Sequence, residues 1–290
     1  MAERTFMAAC VQLRAGQDVA ANIEAAEALI REAAVAGADY VQTPEQTALM
    51  ELRTKALFAN IVAEEDDPAL KRFTALAAEL GIWLHIGSLA IRVAEDKAAN
   101  RAFVIAPDGS IAARYDKIHM FDVDLPSGET YRESRNYRPG EEAVTVDLPW
   151  GRLGLSICYD LRFPYLYRAL AHAGAHFLAI PAAFTRQTGE AHWHVLQRAR
   201  AIENGAFMAS AAQAGFHADK RETYGHSIII GPWGEILAEA DGETPQVIMA
   251  DIDPALAADA RARIPALRNE RAFAGPDRPR DATPSLRSVS

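Results

Sequence analysis

The chain has 290 residues, half of them hydrophobic, and its 30 Lys and Arg against 39 Asp and Glu leave a net charge of −9. A chain of this length removes roughly three quarters of its unfolded surface from water, enough for one substantial core. An acidic balance without a run of basic residues speaks against a nucleic acid or a membrane surface as partner. The two cysteines, Cys10 and Cys158, lie far apart in the sequence and make neither a disulfide framework nor a four-cysteine zinc site, which points to a reducing, cytoplasmic setting.

In chain order, residues 5–12 form an apolar strand, preceded by no stretch long enough for a signal h-region. A helix follows, with Ile23, Ala26, Ile30 and Ala33 at spacings of three and four, closing near Gly37. Residues 40–43 resume as strand. A second helix carries Leu70, Phe73, Ala77 and Leu80, stops at Gly81 and leads into a strand at 82–89. Residues 101–105 and 111–115 flank Pro107-Asp108-Gly109, a hairpin signal. Strands are expected at 153–157, 177–180 and 207–212, with helical stretches between them, one beginning near Pro164. A second hairpin, 227–230 with 236–240, turns at Pro232-Trp233-Gly234. The uncharged run from Arg168 to Arg186 is interrupted by Gly174 and Pro181, so it reads as helix end, turn and strand rather than a membrane span. Strands alternating with helices and broken by two hairpins give an α/β protein with mixed sheets. Residues 1–275 are expected to make one domain, and 276–290, rich in Pro, Ser and charge, a loose tail.

Three residues stand out chemically. Cys158 follows a strand and precedes a helical stretch, where backbone amides favour a thiolate and bind an oxyanion. Lys117 has apolar neighbours in Ile118, Met120 and Phe121 that hold its ammonium in a partly dry site. Glu45, after Pro44, leaves the end of a strand, where open α/β sheets collect ligands. Taken singly, each has an ordinary structural alternative: a packed thiol, a surface lysine, a solvated carboxylate. Cys10, inside an apolar strand, reads as packing. The histidines offer competing ideas: a metal site from His172, His176, His192 and His194, or a Cys–His dyad through His217 or His226. Neither has a local motif behind it.

Three blocks, in order, give the chain its resemblance to the nitrilase, or carbon–nitrogen hydrolase, superfamily. They are the strand ending in Pro44-Glu45, the stretch Tyr115-Asp116-Lys117-Ile118-His119, and Ile157-Cys158-Tyr159-Asp160-Leu161-Arg162-Phe163-Pro164. The resemblance runs from about Phe6 to about Arg271. It implies a four-layer α-β-β-α sandwich with mixed sheets, usually dimerised, and a Glu–Lys–Cys triad at Glu45, Lys117 and Cys158. Glu133, ahead of Pro139-Gly140, matches a further family glutamate. Residues 189–204 and 211–234 most resemble the branch of amidases acting on deaminated glutathione; ω-amidases share part of them. Two positions depart from the family pattern: Thr43, where an apolar residue is usual, and Glu190, where Pro is common.

These residue types suit amide hydrolysis. Cys158 attacks the carbonyl and forms a thioester. Glu45, its pKa raised toward neutrality by burial, moves the protons. Lys117 and the backbone N–H of Tyr159 hold the oxyanion, and Glu133 orients the lysine or the hydrolytic water. No metal, nucleotide or redox cofactor is required. The expected partner is a small, linear, carboxylate-bearing amide, most simply deaminated glutathione, which gives 2-oxoglutarate and cysteinylglycine. Arg162 and Arg221 are candidates for its carboxylates, and Phe184 and Thr185 for its acyl pocket; Glu190 is expected near a substrate-facing loop, Lys220 in solvent, and Trp193 and Leu196 in the core. An ω-amidase acting on 2-oxoglutaramate, an N-carbamoyl amidohydrolase and a catalytically silent binding protein are the alternatives. A homodimer or higher homo-oligomer is expected.

Overall fold

The structure, a computed structural model, describes residues 5–276. The expected tail therefore lies, apart from Pro276, outside the described residues.

Strand β1 (Phe6–Gln12) leads into helix α1 (Val19–Val35), whose Asp18 side chain caps the first turn by accepting from the Ala21 N–H. Next come β2 (Tyr40–Gln42), α2 (Thr54–Asn60), α3 (Pro68–Leu80), β3 (Trp83–Arg92), β4 (Ala98–Ile105) and β5 (Ile111–Asp116). A small hairpin, β6 (Asp122–Asp124) with β7 (Thr130–Arg132), precedes β8 (Thr145–Leu148) and β9 (Gly151–Leu155). The second half runs through α4 (Pro164–His172), β10 (Phe177–Ala179), α5 (Arg186–Asn204), β11 (Phe207–Ser210), the hairpin β12 (Ala214–Phe216) with β13 (Glu222–Tyr224), β14 (Ile228–Ile230), β15 (Ile236–Glu239), β16 (Gln246–Ile252) and α6 (Pro254–Arg263).

Two six-stranded sheets result, ordered β16-β1-β2-β3-β4-β5 and β15-β14-β11-β10-β9-β8. Each has three parallel strands at its centre and antiparallel strands outside them. Alternation along β1 assigns its two faces. Phe6, Ala8 and Cys10 turn toward the second sheet and join Tyr40, Leu155 and Phe177, while Ala9 and Val11 turn toward Ile30 and Phe73 of α1 and α3. Helices α4 and α5 cover the outer face of the second sheet. The result is the expected four-layer α-β-β-α sandwich with mixed sheets.

Both hairpin signals mark real turns: Gly109, with φ of 82°, closes β4 onto β5, and Gly234, with φ of 87°, closes β14 onto β15. The structure adds the strands at Gln246–Ile252 and Thr145–Leu148 and the two small hairpins, none of which the hydropathy pattern singles out. Among the described residues no helix is long and apolar enough to cross a membrane.

Candidate active site

Loops from both sheets and from the β6–β7 hairpin meet at one end of the sandwich. Glu45 lies in the turn after β2, Lys117 directly after β5, Glu133 in a short 3-10 turn after β7, and Cys158 at the start of the 3-10 turn Cys158–Arg162 after β9. All four line one cavity of about 320 Å³.

Each loop is held by its own chemistry. The Glu45 turn packs so closely on β3 that a Cβ on Gly87 would sit 2.1 Å from the Thr43 carbonyl oxygen. Thr43, where an apolar side chain was the family expectation, hydrogen-bonds the Thr47 hydroxyl (2.8 Å) and accepts from the Gly87 N–H (3.1 Å), which pins that turn. Lys117 is held by its backbone on both sides: its N–H donates to the Asn100 carbonyl (2.9 Å) and its carbonyl accepts from the Gly140 N–H (2.8 Å). A side chain at Gly140 would collide with the Asp116 carbonyl at 2.2 Å, so the Pro139-Gly140 turn is glycine by contact.

Cys158 sits at φ of 50°, the left-handed region that non-glycine residues occupy only when their surroundings enforce it. The enforcing group is Asp160, which is fully buried. Its carboxylate accepts from the Ile157 N–H (2.9 Å), the Tyr115 hydroxyl (2.6 Å) and the His119 N–H (3.0 Å), and pairs with His119 Nδ1 (2.6 Å). One carboxylate thereby fastens the cysteine turn to the loop that carries Lys117.

At the cavity floor the four side chains meet. The Lys117 ammonium reaches Glu45 Oε1 at 2.8 Å and Glu133 at 2.9–3.0 Å. The other Glu45 oxygen accepts from the Ala183 N–H (2.9 Å), and the Cys158 side chain lies close enough to the Glu45 carboxylate for each to shift the other's titration. Glu133 Oε2 accepts from the Phe121 N–H (2.7 Å). Asn100, which the sequence did not flag, donates from Nδ2 to both Glu45 (2.9 Å) and Glu133 (3.1 Å).

Glu45, Lys117 and Cys158 are all buried, and the charges decide their protonation. Burial pushes the Glu45 carboxyl up, but the Lys117 charge, the neighbouring Cys158 side chain and the hydrogen bonds from Lys117 and Asn100 outweigh it and hold the group below its ordinary value. This corrects the expectation of a carboxyl raised toward neutrality. Burial and the Glu45 charge drive the Cys158 thiol well above its ordinary value, against the expectation that turn amides would favour the thiolate. For Lys117, burial works against the ammonium, yet the charges of Glu133 and Glu45 raise it well above the ordinary lysine value. The resting site at neutral pH is thus thiol, carboxylate and ammonium.

The upper wall carries the other sequence candidates. Tyr159, Arg162, Phe184, Thr185 and Arg221 all line the cavity, with Phe121 and Tyr131 facing them. Thr185 also caps α5, accepting from the Thr188 N–H, and Phe184 packs on Trp193, with ring centroids 4.9 Å apart. Arg221 is already neutralised by Asp219, through contacts of 2.5 and 2.7 Å. Arg162 lies against the Tyr159 and Phe184 rings, 5.9 and 5.4 Å from their centroids, and its nearest polar partner is His192 Nδ1 at 3.2 Å. Among the described residues no carboxylate pairs with it. Lys220 is exposed and off the cavity; Glu190, expected near a substrate-facing loop, is also exposed and off the cavity, where it pairs with Arg186 at 3.2 Å as the next turn of α5 brings the two together.

The competing histidine arrangements do not form there. His217 is held by the Ala15 carbonyl (2.8 Å) and the Thr223 hydroxyl (2.6 Å), and neither it nor His226 lines the cavity. His194 and His226 instead converge on Glu239 outside the site, each 2.8 Å from the same oxygen. Cys10 is buried and its thiol, pushed up to about 12 by burial, faces Gln42.

The sequence profile of the carbon-nitrogen hydrolases matches residues 7–262. A deaminated glutathione amidase from Synechocystis is 41% identical over 92% of this chain and 98% of its own length. The omega-amidase NIT2 of Homo sapiens is 36% identical, covering 92% of this chain and 95% of its own. Among solved structures, a variant of an amidase from Nesterenkonia superposes with a TM-score of 0.77 at 26% identity, covering 92% of this chain and 94% of that one. That structure shows the acetamide moiety of fluoroacetamide added covalently to its active-site cysteine.

Proposed function

The chain belongs to the carbon-nitrogen hydrolase family and is an amidase for linear amides, and we propose that it hydrolyses deaminated glutathione to 2-oxoglutarate and cysteinylglycine through Cys158, Glu45 and Lys117. The substrate amide carbonyl sits over the Cys158 thiol. Glu45, ionised at rest, takes the thiol proton as sulfur attacks, so no free thiolate has to persist. The Lys117 ammonium has three N–H groups; Glu45 and Glu133 engage two of them, and the third points to the oxyanion with the Tyr159 N–H. A preorganised donor of this kind contributes about 3–4 kcal/mol to barrier lowering. As the C–N bond breaks, Glu45 returns its proton to the departing amine of cysteinylglycine. Water then attacks the thioester, giving its proton to the carboxylate, and 2-oxoglutarate leaves with the thiol restored. Glu133 fixes Lys117 in place through both steps. The cycle needs no metal or organic cofactor.

The observation that carries the substrate choice is Arg162, a half-buried guanidinium on the cavity wall without a carboxylate of its own. It is free to bind a substrate carboxylate in bidentate fashion, with Phe184 and Thr185 lining the acyl pocket. Arg221, matched to Asp219, contributes shape more than charge. The relative from Synechocystis supports the same substrate. The human relative favours an omega-amidase as the second reading. Purified protein supplied separately with deaminated glutathione and 2-oxoglutaramate decides between them. The expected result is cysteinylglycine and 2-oxoglutarate from the first without ammonia; efficient ammonia release from the second with none of the first consumed would overturn the proposal.

A homodimer in the cytoplasm completes the proposal. Exposed Val195 and Ile202 on α5 and nearby Trp233 support an interface, and a catalytic thiol requires reducing surroundings. Sedimentation at micromolar concentration is expected to give twice the chain mass.

A further inference from the structure

We infer that Asn100 is a positioning residue of this site: its side-chain amide clamps Glu45 and Glu133 together and keeps Glu45 ionised as the base. The inference rests on the assignment of Glu45 and Cys158 above. Asn100 lies in β4 and is almost wholly buried. The antiparallel register that pairs Arg101 with Asp116 sets Asn100 beside Lys117, whose N–H bonds the Asn100 carbonyl. The two side chains then reach the same targets. Lys117 Nζ and Asn100 Nδ2 both contact Glu45 Oε1, and both contact Glu133 Oε1.

Two carboxylates this close repel one another, and a single ammonium cannot satisfy all their lone pairs. An amide NH2 has two donors and no charge, one for each carboxylate. A second cation in its place would neutralise the pair and weaken Glu45 as a base; an apolar residue would leave the oxygens short of a partner. The amide orientation follows from the same geometry, since the opposite one would aim the carbonyl oxygen at two carboxylates. That oxygen, Oδ1, is buried without a partner, so the side chain gives up one of its own hydrogen bonds to present its NH2 here.

A hydrogen bond to the charged form of a carboxyl lowers its pKa, so removing it raises the pKa. The acid limb for Glu45 action therefore moves up in Asn100→Leu and in the isosteric Asn100→Asp, which adds a third carboxyl to the cluster. The shift expected is about one to two pH units, the size of one hydrogen bond to a charged group. The rate of Cys158 alkylation by iodoacetamide, followed by mass spectrometry from pH 4 to 8 on folded wild type and both variants, reads this directly and requires no knowledge of the substrate. Wild type is expected to stay reactive well into the acid range, while both variants lose reactivity at higher pH. On whichever amide wild type cleaves, kcat is expected to fall at least tenfold with KM little changed.

Either variant that folds, as judged by circular dichroism, and keeps the wild-type acid limb overturns the inference, however much activity it loses. If wild type is itself not alkylated at Cys158, the assignment of the nucleophile fails instead, and the two failures are told apart by which protein deviates.

Discussion

The floor and the rim of the cavity solve opposite problems. On the floor, the Glu45 and Glu133 carboxylates are held by Lys117 and Asn100, with little exposure to water. At the rim, Arg132 pairs with exposed Asp124 at 2.7 Å and Arg221 with Asp219, while Arg162 has only aromatic rings and His192. A charge cluster in low dielectric is strong but unforgiving, because removing one member strands the others. Charges at a half-wet rim can change with little structural cost. The proposed function puts the chemistry in the part that cannot vary piecemeal, and substrate choice in the part that can.

The largest effect that would break this contrast is at the nucleophile. Cys158→Ala is expected to lower turnover by at least about 10⁴-fold while leaving the fold intact, since a small buried side chain is exchanged for a smaller one. Next is Lys117→Met, which removes the oxyanion donor and leaves two carboxylates without their cation. A fall in kcat of more than about 10³-fold is expected, with a lower melting temperature, checked by kinetics and thermal unfolding. Asp160→Ala is expected to cost about 3–5 kcal/mol of stability in denaturant titration, because Tyr115, His119 and Ile157 lose a shared buried acceptor.

At the rim the effects shrink and become selective. Arg162→Ala is expected to raise KM about 10- to 100-fold for a carboxylate-bearing amide and to leave an uncharged amide within a few-fold. Arg221→Ala is expected to change either substrate less, because Asp219 already neutralises it. Equal losses at Arg162 and Arg221 on both substrates would erase the distinction between a vacant and a matched arginine.

The pH dependence sharpens the floor. The folded Glu45 carboxyl lies below its ordinary value, so the stability from its ionised form is present above the unfolded pKa, about 4.3, and is lost as pH falls through the lower folded value. Activity is expected to hold down to about that unfolded value and to decline only below it; a decline centred near neutrality would mean a base raised rather than lowered.

Much of this was legible because it is local. The spacings of Ile23, Ala26, Ile30 and Ala33 mark a helix face, and Asp108-Gly109 and Trp233-Gly234 mark their turns, since the causes lie within a few residues. Glu45, Lys117 and Cys158 were legible because each sits in a short block of characteristic neighbours, and Phe184 and Thr185 because they follow a strand end. β16 was not legible: Gln246–Ile252 finds its partner in β1, at the other end of the chain. Asn100 was missed for the same reason, as a polar side chain beside Arg101 becomes meaningful only when β4 pairs with β5 and brings it next to Lys117. The direction of the Glu45 pKa was missed because burial is visible in a sequence pattern and a cation 2.8 Å away is not.

The most direct test of the central claim, that Cys158 carries the acyl group, is the mass of the intact protein quenched in acid during turnover of deaminated glutathione. The expected result is a mass increase equal to the 2-oxoglutaryl acyl group, mapping to the peptide that holds Cys158 and absent from Cys158→Ala. Turnover that persists in Cys158→Ala, or an adduct that maps to another residue, would contradict it.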